Sequence, residues 1–219
     1  IAGDCDVEIK MIKELIDNAT PSDLFLILGY GVTGQAMARF LDQRGLKYFI
    51  CDDDASVRCD GSGCQGRFVF EKSLCDQDGK LFSAIFPGPG VEPKHPIIQN
   101  AIQHNIPLIG ELELASQYLS GKLIGVTGTN GKSTTVKLIH ELLTNAGVSS
   151  ALKGNIGSPL IDAVHEKPAS YYVVEESSFQ LEQIESLRHA IAICLNVTDD
   201  HYERYSDIHD YAAAKARVL

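Results

Sequence analysis

The sequence predicts an α/β protein built from two domains in tandem, each a parallel sheet covered by helices. Three observations predict it. Short apolar runs alternate with helical apolar patterns along most of the chain, the order that produces parallel sheets. The first run leads into Gly29-Tyr30-Gly31-Val32-Thr33-Gly34 and a helical pattern. A later run leads into a second glycine-rich turn, Gly128-Thr129-Asn130-Gly131-Lys132-Ser133-Thr134, and another helical pattern.

The elements follow in order. Val7, Met11, Ile12, Leu15 and Ile16 have helical spacing, so residues 1–20 read as an extension carrying a short amphipathic helix. Leu24 to Leu28 is a buried strand, and the helix after Gly34 sets Met37, Phe40 and Leu41 on one face before Gly45 ends it. Lys47 to Cys51 is the next strand and runs into Asp52-Asp53-Asp54. Strand, Gly-x-Gly-x-x-Gly, helix, strand and acid form a βαβ fingerprint for a nucleotide diphosphate held at a helix N-terminus, with the acid near a sugar or base. The fingerprint does not choose the nucleotide. A dinucleotide and a ligand-free tight turn both remain compatible with it.

Residues 55–80 are polar, with one strand candidate at Arg67 to Phe70. Ser83 to Phe86 is a strand that ends in the rigid turn Pro87-Gly88-Pro89-Gly90. A helix starts at His95-Pro96, Ile106 to Ile109 is a strand, and Glu111 to Leu119 is a helix. The domain boundary is expected at Ser120-Gly121-Lys122, giving domains at 21–120 and 121–219.

Leu123 to Val126 is a strand, and Val136, Ile139, Leu142, Leu143 and Ala146 mark the helix after the second glycine turn. This is the layout of a phosphate-binding loop, in a short Gly-x-x-Gly-Lys-Ser form with Val126 where the general pattern carries glycine. Glycines let successive N–H groups turn toward one anion, and the helix N-terminus adds positive potential. Lys132 would reach the β- and γ-phosphates, and the Ser133 hydroxyl would be a hard oxygen ligand for Mg2+. Val148 to Leu152, Tyr171 to Val174 and Ala190 to Leu195 are further strands. The last two deliver Glu175-Glu176-Ser177-Ser178-Phe179-Gln180 and Asn196-Val197-Thr198-Asp199-Asp200-His201 to their C-terminal ends, where α/β sheets bind ligands. A carboxylate at Glu175 can bind Mg2+ beside Ser133. His201 and Lys215 are ordinary residues by spacing alone.

Composition bounds the rest. With 219 residues, 44% hydrophobic and 22% charged, the chain is an ordinary globular one. A net charge of −10 argues against nonspecific nucleic-acid binding. No apolar run approaches a membrane span, and the first residues do not form a secretory signal. The six cysteines include no Cys-x-x-Cys pair, so a reducing cytoplasm is expected. Cys51 and Cys194 read as small hydrophobes in strands, and the spacing of Cys59, Cys64 and Cys75 fits no common zinc pattern.

Gly128 to Thr134, Gly154-Asn155-Ile156-Gly157, Glu175 to Glu182 with its Ser-Ser-Phe-Gln-Leu-Glu string, and Leu195 to His201 together resemble the Mur ligases of peptidoglycan synthesis. The likeness is strongest to the members that add D-glutamate. It implies a Rossmann-like UDP-binding domain followed by part of a phosphate-loop ATPase domain. Family members continue into a third domain, so this chain is expected to be a fragment, inactive alone.

The resemblance also implies a reaction and a site. A bacterial cytoplasmic enzyme would join D-glutamate to UDP-N-acetylmuramoyl-L-alanine at the expense of ATP, through an acyl phosphate, as a monomer without nucleic-acid or membrane partners. Gly128, Thr129, Asn130, Gly131, Lys132, Ser133 and Thr134 would bind ATP. Ser133 and Glu175 would hold one Mg2+, and His201 with a carbamylated Lys215 a second. Val32, Thr33, Asp52, Asp53 and Gly88 would bind the UDP part of the substrate, and Asn155, Ser177, Gln180 and His201 the rest. Phe86 stands where the D-glutamate-adding members commonly carry serine, and no arginine accompanies Asp53-Asp54. A different family ligase, a folylpolyglutamate synthase relative and a non-catalytic nucleotide-binding module are the competing readings.

Overall fold

A computed structural model describes residues 12–54, 67–68 and 81–219. Cys5, Cys59, Cys64 and Cys75 lie outside the described residues, as do most of the expected first helix and residues 69–70 of the expected third strand. Residues 12–17 are helical. The chain forms two compact units that divide between Leu114 and Ala115. The division falls inside the Glu111–Ser116 helix, before the Ser120-Gly121-Lys122 turn.

The first unit holds a parallel sheet in the order β3-β2-β1-β4, with β1 Phe25–Leu28, β2 Tyr48–Cys51, β3 Arg67–Phe68 and β4 Ala84–Pro87. The Val32–Gln43 helix connects β1 to β2 and lies against β1 and β4. Ile97, Ile98 and Ala101 of the Pro96–Gln103 helix pack with Leu26, Leu28, Cys51 and Ile85. Every residue of β1 is buried, which explains its unbroken apolar run: a strand covered on both faces has no polar side to alternate with. The expected strand at Ile106 to Ile109 is reduced to one bridge, Leu108 with Ile85, because Pro107 offers no N–H and only its carbonyl joins the ladder. Succession turns from β2 on one side of β1 to β4 on the other, so a crevice opens beyond the C-terminal ends of β1 and β4.

The second unit repeats the architecture. Its sheet runs β6-β7-β5-β8, all parallel, with β5 Lys122–Thr127, β6 Ser150–Gly154, β7 Tyr171–Glu175 and β8 Ile191–Cys194. Ile124, Val126 and Val173 pack with Val136 of the Lys132–Asn145 helix. Ile139 and Leu143 join this core, but Leu142 is 60% exposed and lies off the packed face. The apolar run from Ala190 to Leu195 predicts a buried strand. Among the described residues it pairs with β5 alone, with Ile191 half exposed and Cys194 exposed, so Cys194 is not a packed hydrophobe here. A turn of 3-10 helix at Leu160–His165 and the short Ser178–Leu181 helix had no periodic signal, being too short to show one.

Candidate functional site

In the first unit, the crevice at the ends of β1 and β4 is a cavity of about 750 Å³. Val32, Thr33, Asp52, Asp53 and Gly88 all line it, with Gly29, Gly31, Gly34 and the 88–96 segment. The volume lies in the range that holds small ligands. Gly34 shows why the fingerprint needs its last glycine. A Cβ there would sit 2.1 Å from the carbonyl oxygen of Gly29, so the helix could not pack this closely on the strand end.

The acids of this crevice are already engaged. Asp52 accepts the Tyr30 N–H at 2.6 Å and the Asp54 N–H at 2.9 Å, which ties the end of β2 to the glycine turn. Asp53 faces His95, whose Nε2 lies 3.3 Å from its Oδ1. The other ring nitrogen, Nδ1, accepts the Ile97 N–H at 3.2 Å and caps the Pro96–Gln103 helix. A neutral His95 therefore carries its proton on Nε2 and donates it to Asp53. Sequence reasoning missed His95. The signal was present: a polar residue directly before Pro at a helix start is a cap candidate.

Helix capping separates two kinds of N-terminus. His95, Ser177 and Asp207 cap the helices that follow them with their side chains. The helices starting at Val32 and Lys132 begin after Gly31 and Gly131, with no side-chain cap and no acid in the first turn. Those two ends are left with the positive potential and N–H groups that an anion would satisfy.

In the second unit, β5 ends in the phosphate loop. Gly131 has φ 88°, a left-handed conformation that starts the helix and that side chains rarely adopt. Lys132 is curled onto its own loop, donating to the carbonyls of Gly128 at 2.7 Å and Thr129 at 3.0 Å. Ser133 and Thr134 are exposed in the first helical turn. Lys215, on the Ile208–Ala216 helix, is buried and donates to the same Gly128 carbonyl at 3.0 Å. Two ammonium groups far apart in sequence thus converge on one loop atom. Burial lowers the Lys215 pKa, against the opposing influence of Cys194 and Asp200. Its amine also lies 4.4 Å above the Tyr211 ring.

Glu175 ends β7, next to the end of β5. It is buried, and among the described residues its Oε2 has no hydrogen-bond partner. Asn155 donates to Oε1 at 3.3 Å, and the Asn155 N–H donates to the Glu175 carbonyl at 2.9 Å. An orphaned buried carboxylate oxygen is costly alone and suits a divalent cation. Among the described residues, no group of three or more His, Cys, Asp or Glu side chains gathers to hold a metal. The donor set fits Mg2+, which takes one or two carboxylates and fills its shell with water and phosphate oxygens.

His201 has a left-handed backbone, φ 56°, which is uncommon outside glycine. Its ring packs 4.9 Å from that of Phe179 and 5.8 Å from that of Tyr211, and its Nδ1 lies 3.0 Å from Glu203. Lys215 and His201 therefore flank the same tyrosine. Ser177 and Gln180 hold a capping box: the Ser177 hydroxyl accepts the Gln180 N–H at 3.2 Å, and the Gln180 side-chain Oε1 accepts the Ser177 N–H at 3.0 Å. Their side chains shape the turn after Glu175-Glu176, a role the Ser-x-x-Gln spacing announces and that the sequence reading passed over.

The comparisons with known proteins agree on a family. Residues 126–219 match the Mur ligase middle domain, and residues 23–110 match the N-terminal domain described as Mur ligase, MurD-like. Two proteins named UDP-N-acetylmuramoylalanine--D-glutamate ligase, from Syntrophus aciditrophicus and Trichlorobacter lovleyi, are each 39% identical, over 200 and 202 residues. These alignments cover 89% and 88% of this chain and 44% of each relative. The one from Buchnera aphidicola is 35% identical over 201 residues. The chain spans less than half the length of these relatives. Among solved structures, the UDP-N-acetylmuramate:L-alanyl-gamma-D-glutamyl-meso-diaminopimelate ligase from Neisseria meningitides aligns with a TM-score of 0.56 at 18% identity. That alignment covers 90% of this chain and 68% of that one, a likeness of fold.

Proposed function

This chain belongs to the Mur ligase family, and from that premise we propose that it carries the nucleotide-sugar-binding and phosphate-loop parts of an ATP-dependent ligase. The ligase adds D-glutamate to UDP-N-acetylmuramoyl-L-alanine in the bacterial cytoplasm during peptidoglycan synthesis. The observation that carries the reading is the convergence of Lys132 and Lys215 on the Gly128 carbonyl, at the sheet edge where Glu175 also ends its strand.

The chemistry follows from charge. A substrate carboxylate oxygen attacks the γ-phosphorus of ATP, and ADP leaves. The D-glutamate amine then attacks the acyl carbon, and phosphate leaves as the amide forms. Two anions repel in the first step, so the site must offset their charge. Lys132 would exchange its two loop carbonyls for phosphate oxygens, and the N–H groups at the start of the Lys132–Asn145 helix would hold the same oxygens. Ser133 and Glu175 would hold one Mg2+; His201 and Lys215, the latter as its carbamate, would hold a second. The metal supplies charge neutralisation at the transferring phosphoryl group. A depressed lysine pKa favours the neutral amine, the form that adds CO2. Val32, Thr33, Asp52, Asp53 and Gly88 would receive the UDP group, with Asp52 acting through the turn it ties down. Asn155 would orient Glu175 as well as meet substrate, and Ser177 and Gln180 would act through the shape of their turn.

The test is product formation by the full-length protein supplied with ATP, Mg2+, UDP-N-acetylmuramoyl-L-alanine and a panel of amino acids. D-glutamate is expected to be consumed with release of ADP and phosphate. Preferential uptake of another amino acid would move the chain to a different ligase, and no ligation with retained nucleotide binding would make it a binding module. The glycine turn gives a second expectation. Gly34→Ala forces the Val32–Gln43 helix off the Gly29 carbonyl, an overpacking that costs about 1–3 kcal/mol. Affinity for the UDP-sugar should fall about tenfold by calorimetry, with ATP affinity unchanged.

A further inference from the structure

Lys132 holds the Thr129 carbonyl from within the phosphate loop, but the N–H groups at the loop's apex are held from outside it. It is gripped by one side chain from the segment after β8. Asn196 Oδ1 accepts the N–H of Thr129 at 3.1 Å and that of Asn130 at 2.9 Å. Its Nδ2 donates to the Asn130 carbonyl at 3.0 Å. The Asn196 main-chain carbonyl lies 3.0 Å from the Thr129 nitrogen as well. Two residues further on, the Thr198 N–H donates to the Thr129 hydroxyl at 3.0 Å, which itself reaches the Thr198 carbonyl at 3.3 Å. A primary amide matches this arrangement because it offers an acceptor and a donor side by side. An acid of the same shape offers no donor, and an alcohol cannot reach both partners at once.

We propose that Asn196 is a positioning residue for nucleotide binding: it fixes the apex and withdraws the Thr129 and Asn130 N–H groups from the anion cradle. The cradle then begins at Gly131 and runs through Lys132, Ser133 and Thr134 at the uncapped helix N-terminus. Thr129 and Asn130 face the β8 segment with their backbone donors, so they serve ATP through the loop's shape. Asn196 touches no phosphate in this role. The inference deepens the reading of Gly128 to Thr134 as an ATP-phosphate loop and rests on it.

Two measurements on the full-length protein test it. Amide hydrogen exchange without nucleotide reads the clamp directly. Asn196→Ala should speed exchange at Asn130 roughly tenfold or more, while Thr129, which keeps the Asn196 main-chain carbonyl as acceptor, changes less, and Ile124 and Val126 in β5 keep their protection. Asn196→Asp keeps the acceptor and should preserve slow exchange at Asn130. Kinetics read the consequence: Asn196→Ala should raise KM for ATP roughly tenfold or more, leaving KM for the UDP-sugar unchanged. Unchanged exchange at Asn130, or wild-type KM for ATP, would overturn the proposal. So would loss of protection throughout β5, which would make Asn196 a general support of the sheet. A wild-type protein that binds no ATP would sink the nucleotide reading itself, while the exchange at Asn130 would still decide whether the clamp exists.

Discussion

Lys132→Ala is expected to slow ATP-dependent addition of D-glutamate by about a thousandfold, with the fold retained. The magnitude follows from the role: one preorganised cation aimed at the charge of a transferring phosphoryl group contributes on the order of 10²–10³ in rate. The retained fold follows from the neighbours. Lys132 holds the Gly128 and Thr129 carbonyls, but Lys215 also donates to Gly128, and the side chain of Asn196 grips Thr129 and Asn130 independently. Removing the ammonium therefore leaves the loop tied at both ends. Steady-state kinetics with ATP and a urea unfolding curve check the two halves of this expectation. Wild-type turnover in the variant would show that the proposed phosphoryl transfer does not use this loop.

The largest stability effect is expected at His189. Its Nε2 lies 2.7 Å from Glu176 Oε1 and its Nδ1 lies 2.9 Å from the Val218 carbonyl, with both side chains buried. Among the described residues Glu176 Oε2 already has no partner. His189→Ala would orphan the second carboxylate oxygen and the Val218 carbonyl together, at a cost of about 3–5 kcal/mol in urea denaturation. Gly125 belongs to the same arrangement, because a Cβ there would lie 2.5 Å from the His189 ring. The pair also sets a pH dependence. Burial raises the Glu176 pKa above 4.5, against the lowering influence of His189. A carboxyl whose folded pKa is raised favours folding while protonated. Its contribution is present below pH 4.5 and is lost as pH rises through the folded value. Glu176→Gln keeps the shape and removes the titration, so stability against pH should be flatter in that variant over this window.

Glu176 and His189 illustrate what sequence could not reveal. Glu176 reads as the second of two acids at a strand end, and His189 as a polar residue before the next strand. Only the parallel placement of β7 and β8 on either side of β5 brings them together. Asn196 is similar. It was legible as a polar residue at a strand's C-terminal edge, but its partners lie in a loop 66 residues away. Lys215 was named through family likeness alone, since nothing in its own helix distinguishes it from a solvated lysine. Among the described residues β8 pairs with β5 alone, although Ile191-Ala192-Ile193-Cys194 has the apolar run of a strand covered on both sides.

By itself the sequence determined the two glycine turns, the strands that feed them and the helices that follow. Those signals are local, set by backbone freedom at glycine and by apolar period, so they survive without a partner. The tertiary structure alone decided which groups meet. It put two ammonium groups on the Gly128 carbonyl, an amide across the loop apex, and a carboxylate oxygen at Glu175 with no partner among the described residues. Each is a meeting of residues far apart in the chain, and strand order with burial fixes such meetings where composition and spacing cannot.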